Sequence, residues 1–288
     1  MSVLPQREAV CAATNPIYWR GMIPFLHIGW LTIPTYGLSV ACAMLAAFFV
    51  LRPDLARRGI APKTSSLAET LIAVPCLVGL LGAKLYHELE SPREFFTDPW
   101  HHIISPFGFA WFGGLLAGFA AYVWVARRQK VPLLAMLDAG SAAAALGYGL
   151  GRIGCLLSGD GDYGIPTSLP WGMSFPHGLV PTTERVHPTP IYELIVACAI
   201  ALVLWKMGAP ATDENKASAS GAPAAGRGHH RRAGEVFAAY LILTGAARFL
   251  VEFIRINPRS FLGLTNAQAA SVASMVAGAV LWWFARKD

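Results

Sequence analysis

Long apolar stretches recur along the chain, separated by short polar or basic connections. A helix needs about 20 apolar residues to cross the hydrocarbon core of a bilayer. Seven stretches approach or reach that length, at 33–51, 67–86, 107–126, 133–151, 191–205, 236–253 and 265–284. The fifth is short, and its ends are the least certain. The pattern predicts an all-α integral membrane protein with seven transmembrane helices.

Composition supports this interpretation. Hydrophobic residues make up 55% of the 288 residues, charged residues only 14%, and the mean hydropathy is +0.46. A soluble domain of this size would carry about a quarter charged residues. None of the connections is large enough for a separate soluble domain, so residues 1–288 are predicted to form a single polytopic membrane domain.

The distribution of lysine and arginine predicts the orientation. Of the 23 such residues, fourteen fall in connections that are cytoplasmic if the N-terminus lies outside, and the remaining nine lie outside or near the outer ends of spans. Cytoplasmic loops are enriched in these residues, so the N-terminus is expected outside and the C-terminus in the cytoplasm. The net charge of +6 is then explained by loops that face anionic lipid headgroups, and no nucleic-acid partner is expected.

The connections differ in kind. Residues 208–234 are rich in Ala, Gly, Ser and Pro and are basic, which predicts a flexible cytoplasmic loop. Residues 152–190 form the longest outer connection and hold Gly, Pro, Asp and aromatic residues typical of tight, ordered turns. A small outer head region is expected there. The aromatic-rich residues 15–32 are expected to lie at the membrane interface.

The sixth span contains ionisable residues, each of which costs roughly 2.5–3.5 kcal/mol on insertion scales. Arg248, Glu252 and Arg255 stand at i, i+4 and i+7, on one face of a helix. One interpretation is an ion pair within the helix plus an interfacial arginine. The other is a polar site that faces a cavity.

A second polar element lies at Gly147–Gly164, with the sequence GYGLGRIGCLLSGDGDYG. Arg152 stands at the outer end of the fourth span and is followed by a glycine-rich turn with Asp160 and Asp162. Glycines let backbone N–H groups close around an anionic oxygen, and a guanidinium matches a phosphate with two parallel hydrogen bonds. Two arginines at one depth of an apolar protein favour binding of an anionic lipid headgroup.

The third element is HPTPIYEL, where the prolines predict a helix start. His187 is then expected just outside the fifth span and Glu193 in its first turn, where the helix dipole favours a carboxylate. His187 could equally be an interfacial hydrogen-bonding residue. Tyr36, at the outer start of the first span, has an alternative role in the aromatic belt.

Together these motifs resemble the prolipoprotein diacylglyceryl transferase family, in the family's order and over most of the chain. The resemblance is carried by Tyr36-Gly37, Phe112-Gly113-Gly114-Leu115, Arg152 with its glycine-rich turn, His187-Pro188-x-x-x-Tyr192-Glu193, and Arg248-Phe-x-x-Glu252-Phe-x-Arg255. It implies a seven-span bundle in the bacterial cytoplasmic (inner) membrane, with the N-terminus outside and an outer head. It also implies transfer of diacylglyceryl from phosphatidylglycerol to the lipobox cysteine thiol of a prolipoprotein.

The resemblance assigns roles that suit this chemistry. Arg152 and Arg248 are expected to neutralise the phosphate of the leaving group. Because Phe112 and Thr244 replace polar residues that are usual in the family, Asp160 or His187 is expected to act as a substitute base, and these four form the predicted catalytic set. The predicted substrate-binding residues are Tyr36, Gly113, Gly114, Gly159, Gly164, Tyr192, Glu193 and Glu252. No cofactor and no metal ion are expected; the expected partners are phosphatidylglycerol, prolipoproteins and membrane lipids.

The chain departs from the best-known members of that family at three positions. Phe112 stands where they often have His, Thr244 where they often have Tyr, and Cys155 where many have Asn. Because these changes remove acid or base groups and keep the arginines, two alternatives stay open: a non-catalytic protein that binds anionic lipid, and a related transferase with a different acceptor. A transporter is a third, disfavoured because the charged residues lie near the outer face.

Overall fold

The computed structural model describes residues 22–62, 64–90, 92–105, 108–208, 232–261 and 263–287. These residues are mostly helical. The helices are α1 (Thr35–Arg57), α2 (Leu67–Glu90), α3 (Pro92–Thr97), α4 (Pro99–Ile104), α5 (Trp111–Arg128), α6 (Leu133–Ser158), α7 (Thr189–Met207), α8 (Glu235–Val251) and α9 (Asn266–Lys287). A 3-10 turn, Glu252–Ile254, follows α8 directly.

Three antiparallel hairpins accompany the helices. They pair β1 (Phe25–Ile28) with β2 (Leu31–Pro34), β3 (Met173–Phe175) with β4 (Thr182–Val186), and β5 (Arg259–Phe261) with β6 (Leu264–Thr265). Part of the aromatic segment expected at the membrane interface is therefore the β1–β2 hairpin. Residues 15–21 of that segment lie outside the described residues.

Among the residues that the structure describes, six helices are long and apolar enough to cross a membrane. They are α1, α2, α6, α7, α8 with its 3-10 turn, and α9. The protein is thus a mostly helical, multi-pass membrane protein, as the hydrophobic pattern predicts. The stretch predicted as the third span is also a helix, α5, but its two terminal arginines lower the mean hydropathy of its 18 residues.

The described residues pack into two compact units. Among the described residues, one contains 22–46, 141–206 and 237–287, and therefore the outer head connection. Its head has a small core of Met173, Phe175 and Val186, against which Leu156 of α6 and Ile191 of α7 pack. This core ties the β3–β4 hairpin to the ends of the two helices that flank it in sequence.

The second unit contains, among the described residues, 47–140 and the two short segments 207–208 and 232–236. Within it, α2 and α5 pack against each other through glycine. A Cβ atom on Gly113 would lie 2.3 Å from Cβ of Tyr86 and 2.4 Å from the carbonyl oxygen of Gly82, and one on Gly82 would lie 2.3 Å from Cβ of Ala117. Small residues let helix backbones approach this closely in membranes. Gly113 therefore has a packing reason of its own, beside the substrate contact predicted for it.

We expect Gly113→Ala and Gly82→Ala to lower the stability of the folded protein alike, by about 1–3 kcal/mol, because neither added methyl has room. Thermal unfolding in detergent measures this. Gly151→Ala, where a Cβ meets nothing within 4 Å, is the matched helix control and should not unfold at a lower temperature. A Gly113→Ala protein with wild-type stability but no activity would instead support the predicted substrate contact.

Two helices end differently from the prediction. Helix α6 continues to Ser158, so Arg152 lies within the helix and the glycine-rich turn begins more than a turn later. Helix α8 ends at Val251, so Arg255 lies beyond it in extended backbone rather than on the same helical face as Arg248. The predicted cytoplasmic loop, 208–234, falls mostly on residues 209–231, which lie outside the described residues.

Candidate functional site

Backbone hydrogen bonds gather the polar motifs at one end of the first unit. The N–H of Gly164 donates to the carbonyl of His187 at 2.8 Å, and the N–H of Ile165 donates to the carbonyl of Ile254 at 2.8 Å. The turn after α6 is thereby held between the start of α7 and the end of α8. A Cβ on Gly164 would lie 2.5 Å from the Ile254 carbonyl oxygen, so only glycine allows this approach.

Glu193 of α7 lies at the centre of the site, and its side chain is 4% exposed. Its Oε1 accepts hydrogen bonds from Arg248 Nη1 at 2.8 Å and from the Tyr148 hydroxyl at 2.7 Å. Its Oε2 lies 3.5 Å from Arg152 Nε and 3.4 Å from Arg255 Nη1. A single buried carboxylate thus pairs with three guanidinium groups, which come from α6, α8 and the segment after it.

Two further carboxylates complete the balance of charge. Asp162, in the glycine-rich turn, accepts hydrogen bonds from both Arg152 and Arg255. Glu252 pairs through Oε2 with Arg248 Nη2 at 2.9 Å, and its Oε1 accepts a hydrogen bond from the Asn257 amide at 2.6 Å. Three guanidinium groups therefore face three carboxylates, which makes a network rather than the isolated pair on α8.

The three arginines differ in how far they can be reached. The side chain of Arg248 is 26% exposed and that of Arg152 is 18% exposed, whereas that of Arg255 is 7% exposed. The Arg152 guanidinium also stacks on the Tyr148 ring, 4.7 Å from its centroid. A ligand can therefore reach Arg152 and Arg248, while Arg255 is a buried support for the carboxylates that orient them.

Asp160 and Asp162 lie in the same turn but differ in their ionisation. Burial raises the pKa of the Asp160 carboxyl, and the negative charge of Asp162 raises it further. Burial also opposes ionisation of Asp162, but the Arg255 guanidinium, followed by Arg152 and Arg248, outweighs it and holds the pKa of that carboxyl below its usual range. Two neighbouring carboxyls thus differ: the pKa of Asp160 is raised, which suits it to accept a proton, and the pKa of Asp162 is lowered, which favours its charged form.

Cys155 near the end of α6 and two aspartates of the glycine-rich turn form a group with metal-ligand spacing. Sγ of Cys155 and carboxylate oxygens of Asp160 and Asp162 lie within 4.8 Å of one another. Arg152 Nη1 lies beside this group, 3.7 Å from the Cys155 Sγ, and donates a hydrogen bond to Asp162. A cation there would compete with two guanidinium groups for Asp162.

His187 lies just before α7, separated from it by Pro188, as the prolines predict. Its Nδ1 lies 3.2 Å from the Tyr192 hydroxyl, which accepts a hydrogen bond from the Trp171 indole at 2.8 Å. The backbone of His187 joins the glycine-rich turn through Gly164. The imidazole is therefore part of the head rather than a lone interfacial side chain.

Comparison with known proteins decides the family. A model of the family described as prolipoprotein diacylglyceryl transferase matches residues 24–284. The chain is 32% identical over 248 residues to the phosphatidylglycerol–prolipoprotein diacylglyceryl transferase of Geobacter sulfurreducens, covering 83% of this chain and 84% of that protein. Proteins of the same name from Clostridium tetani and Paracidovorax citrulli are each 30% identical, over 86% and 91% of this chain and 91% and 95% of their own lengths.

The chain belongs to the prolipoprotein diacylglyceryl transferase family. The resemblance inferred from its motifs is thereby confirmed, and the matched region reaches from before α1 into α9.

In this family member, the structure brings four of the predicted site residues into direct contact: Arg152, Glu193, Arg248 and Glu252. Asp160 adjoins them through Asp162, whose N–H donates to Asp160 Oδ1 at 3.2 Å. The Tyr36 ring packs against α6 where Gly154 leaves room, one residue before Cys155. Gly113 and Gly114 belong to the second unit, and Gly159 has a positive φ of 57° and lies against Gly178.

Sequence reasoning did not include Tyr148, Asp162 and Arg255 among the site residues. Signals for them existed: Tyr148 precedes Arg152 by four residues, one helical turn. Asp162 repeats the Gly-Asp pattern of Asp160, and Arg255 extends the motif of the sixth span. None of these spacings reveals that Asp162 and Arg255 pair with each other, because they are 93 residues apart.

The departures from the family pattern have local accounts. The Thr244 hydroxyl donates to the carbonyl of Tyr240 in its own helix, at 2.6 Å. Phe112 lies in the second unit with 60% of its surface exposed. The Cys155 thiol is buried beside Arg152 and Asp160, so of the three departures it is the one that changes the arginine site itself.

Proposed function

We propose that this chain is a phosphatidylglycerol–prolipoprotein diacylglyceryl transferase. The observation that carries the proposal is the sharing of one buried carboxylate, Glu193, by two reachable guanidinium groups, Arg152 and Arg248, from different helices. This arrangement holds both guanidinium groups at the end of the membrane-spanning segments, where a lipid phosphate lies. Family membership supplies the reaction, because the relatives' names specify the lipid donor and the protein acceptor.

The reaction exchanges one bond for another. The acceptor thiol loses its proton to a base, and its sulfur forms a bond with the glyceryl carbon of the diacylglyceryl group. The bond between that carbon and the phosphate oxygen breaks, and glycerol phosphate leaves. The phosphodiester of the lipid carries one negative charge and the departing monoester carries two, so negative charge on the phosphate grows along the reaction.

Arg152 and Arg248 are suited to stabilise this growing charge. Both are oriented beforehand by carboxylates, so little reorganisation is needed when the charge develops. Each guanidinium also presents N–H groups in a rigid plane that matches phosphate oxygens. Tyr36, beside Gly154, extends the same end of the unit and provides a hydroxyl for the lipid headgroup.

The thiol proton needs an acceptor, and Asp160 and His187 are the two candidates. Asp160 lies next to the guanidinium network, and its raised pKa makes its carboxylate a stronger base than an ordinary aspartate. Only the ionised form can accept the proton, so the rate that depends on Asp160 should fall as the pH drops through this raised pKa.

We expect Asp160→Asn to lower turnover and to remove that acidic limb of the pH–rate profile. Turnover measured from the weakly acidic to the neutral range checks this. Asp162→Asn serves as the comparison: it should keep an acidic limb, but at lower pH, because the Asp162 charge that raises the pKa of Asp160 is gone. An unchanged acidic limb in Asp160→Asn would assign it to another group.

The path of the chain supports seven spans. The start of α1 and the end of α6 lie together, because the N–H of Ile23 donates to the carbonyl of Leu157 at 3.1 Å and Tyr36 packs at Gly154. If α1, α2 and α6 cross the membrane, the chain must cross once more between α2 and α6 to bring these ends to one side. Helix α5 is the helix available, so we count it as the seventh span of a single polytopic domain.

The charge distribution then places the N-terminus and the head, residues 152–190, outside the cytoplasmic membrane, and the C-terminus inside. We expect reporter fusions after Arg128 and after residue 220 to be cytoplasmic, and a fusion within 165–185 to be external. Alkaline phosphatase and fluorescent-protein fusions report the two sides. A cytoplasmic signal from the 165–185 fusion would contradict the placement of the whole site.

The proposed reaction is tested with purified protein in nanodiscs that contain phosphatidylglycerol. A synthetic lipobox peptide is added, and mass spectrometry is used to detect the thioether-linked diacylglyceryl group and the released glycerol phosphate. Peptide with serine in place of the lipobox cysteine is the control. Lipid binding without thioether product would favour the non-catalytic alternative, and product on a different thiol would favour the related transferase.

A further inference from the structure

Two side chains of the head and Tyr192 of α7 form a chain of hydrogen bonds that the arginine network does not include. The Trp171 indole nitrogen lies 2.8 Å from the Tyr192 hydroxyl oxygen, and that oxygen lies 3.2 Å from Nδ1 of His187. The His187 and Tyr192 rings also meet edge to face, with centroids 6.0 Å apart. The imidazole is therefore held both by packing and by one of its two ring nitrogens.

The indole of Trp171, at one end of this series, sets the direction of the hydrogen bonds. An indole N–H can only donate, so the Tyr192 oxygen is an acceptor toward Trp171. The single proton of the Tyr192 hydroxyl is then directed to Nδ1 of His187, which must be unprotonated to accept it. In neutral imidazole the proton is consequently on Nε2. The opposite direction, with Nδ1–H as a second donor to the Tyr192 oxygen, would leave the hydroxyl proton with no acceptor among the described residues.

Trp171 is itself held in place by the head. The Arg185 guanidinium donates to the carbonyls of Leu169 and Pro170, at 3.0 and 3.1 Å. The N–H of Gly172 closes a turn onto the Leu169 carbonyl at 3.0 Å. These bonds fix the backbone on both sides of Trp171, although half of its side chain is exposed. The indole is thus oriented before any ligand arrives.

We propose that Trp171 and Tyr192 are positioning residues that keep His187 in the Nε2–H form. His187 then donates a hydrogen bond to a phosphate oxygen of the bound phosphatidylglycerol, and does not accept the thiol proton. This inference rests on the proposed function and refines the same site. If His187 is a donor, Asp160 is the remaining candidate for the base. The phosphate is then bound by one neutral donor, His187, in addition to the two arginines.

Glutamine and asparagine at position 187 distinguish a role of His187 as hydrogen-bond donor from a role as base. The amide NH₂ of glutamine reaches approximately to the place of Nε2 and donates, but it cannot take up a proton; that of asparagine reaches only to the place of Nδ1. We expect His187→Gln to keep most of the phosphatidylglycerol affinity and turnover. His187→Asn and His187→Ala should each lose about tenfold or more, the effect of one missing hydrogen bond to a charged group.

A double-mutant comparison tests the two positioning residues. Trp171→Phe and Tyr192→Phe should each lower turnover in the wild-type background, because the imidazole proton is no longer directed to Nε2. In the His187→Gln background the same changes should have little further effect, since an amide has no tautomer to select. Trp30→Phe, at the 94% exposed tip of the β1–β2 hairpin, is the matched control.

Affinity for dioleoyl phosphatidylglycerol in nanodiscs and transfer to the lipobox peptide are measured for every variant. His187→Gln with activity and affinity as low as His187→Ala would overturn the proposal, as would equal losses from Trp171→Phe in both backgrounds. A wild-type protein that binds the lipid but forms no thioether would remove the proposed function, while the affinities still test His187. A wild-type protein that does not bind the lipid would overturn both.

Discussion

Replacing Arg152 or Arg248 by lysine is expected to lower turnover about ten- to a hundredfold although the positive charge is kept. Arg248 uses two separate nitrogens for Glu193 and Glu252, and Arg152 reaches Asp162 and Glu193 from different edges of its plane. A lysine ammonium is a point donor, so it cannot satisfy two carboxylates and present a planar fork to phosphate.

The measurement compares turnover and phosphatidylglycerol affinity with thermal unfolding in detergent. Arg259→Lys, at an exposed position of β5, is the matched control and should change none of these. Both site variants should remain folded. Wild-type lipid affinity in the Arg248→Lys protein would remove Arg248 from the anion site.

A charge swap between Arg248 and Glu252 is a weaker test than the α8 sequence suggests. In the swapped protein a carboxylate at position 248 would face Glu193 as well as the new arginine. Loss of function would then follow under both interpretations, a paired residue in the helix or a ligand for phosphate. The lysine variants separate these interpretations because they leave every charge in place.

Neutralising Glu193 is expected to destabilise the protein more than any other single change at the site. Its buried carboxylate lies within 3.5 Å of nitrogens of three arginines, and Glu193→Gln would leave these guanidinium groups with two carboxylates. Removing one partner of a buried ion pair costs about 3–5 kcal/mol because the remaining charge is uncompensated. We expect a clearly lower unfolding temperature and loss of activity.

Glu184→Gln is the matched control for this prediction, since Glu184 is exposed on β4 of the head. Thermal unfolding of the two variants in the same detergent gives the comparison. If Glu193→Gln unfolds like the wild type and loses only activity, then Glu193 contributes to catalysis without supporting the arrangement of the arginines.

The apolar pattern alone predicts most of the helical architecture. A segment that enters the bilayer must be apolar along its length, and it must satisfy its backbone hydrogen bonds internally, which a helix does. All seven predicted stretches are helical, and six meet the length and composition of a span. The prolines before Tyr192 likewise place the start of α7 correctly, since proline lacks the N–H that the first turn does not need.

The motif of the sixth span shows where such reasoning ends. Its spacing predicts that Arg248 and Glu252 pair within one helix, and they do. The same spacing places Arg255 on that helical face, but the helix ends first, and Arg255 pairs with Asp162 from a turn 93 residues earlier in the chain. Beyond the end of the helix, Arg255 forms an antiparallel bridge with Gly164, a contact that helical periodicity does not contain.

The sequence by itself therefore determined which segments enter the membrane and which polar residue types accompany them, because both follow from local transfer free energies and spacing. Only the tertiary structure decided that Glu193 is the shared partner of three arginines, and that His187 is oriented through Tyr192 and Trp171. Ion pairs and hydrogen bonds of this kind depend on angles and distances of a few ångströms between distant segments. These are set when the glycine-rich turn is held between α7 and the end of α8.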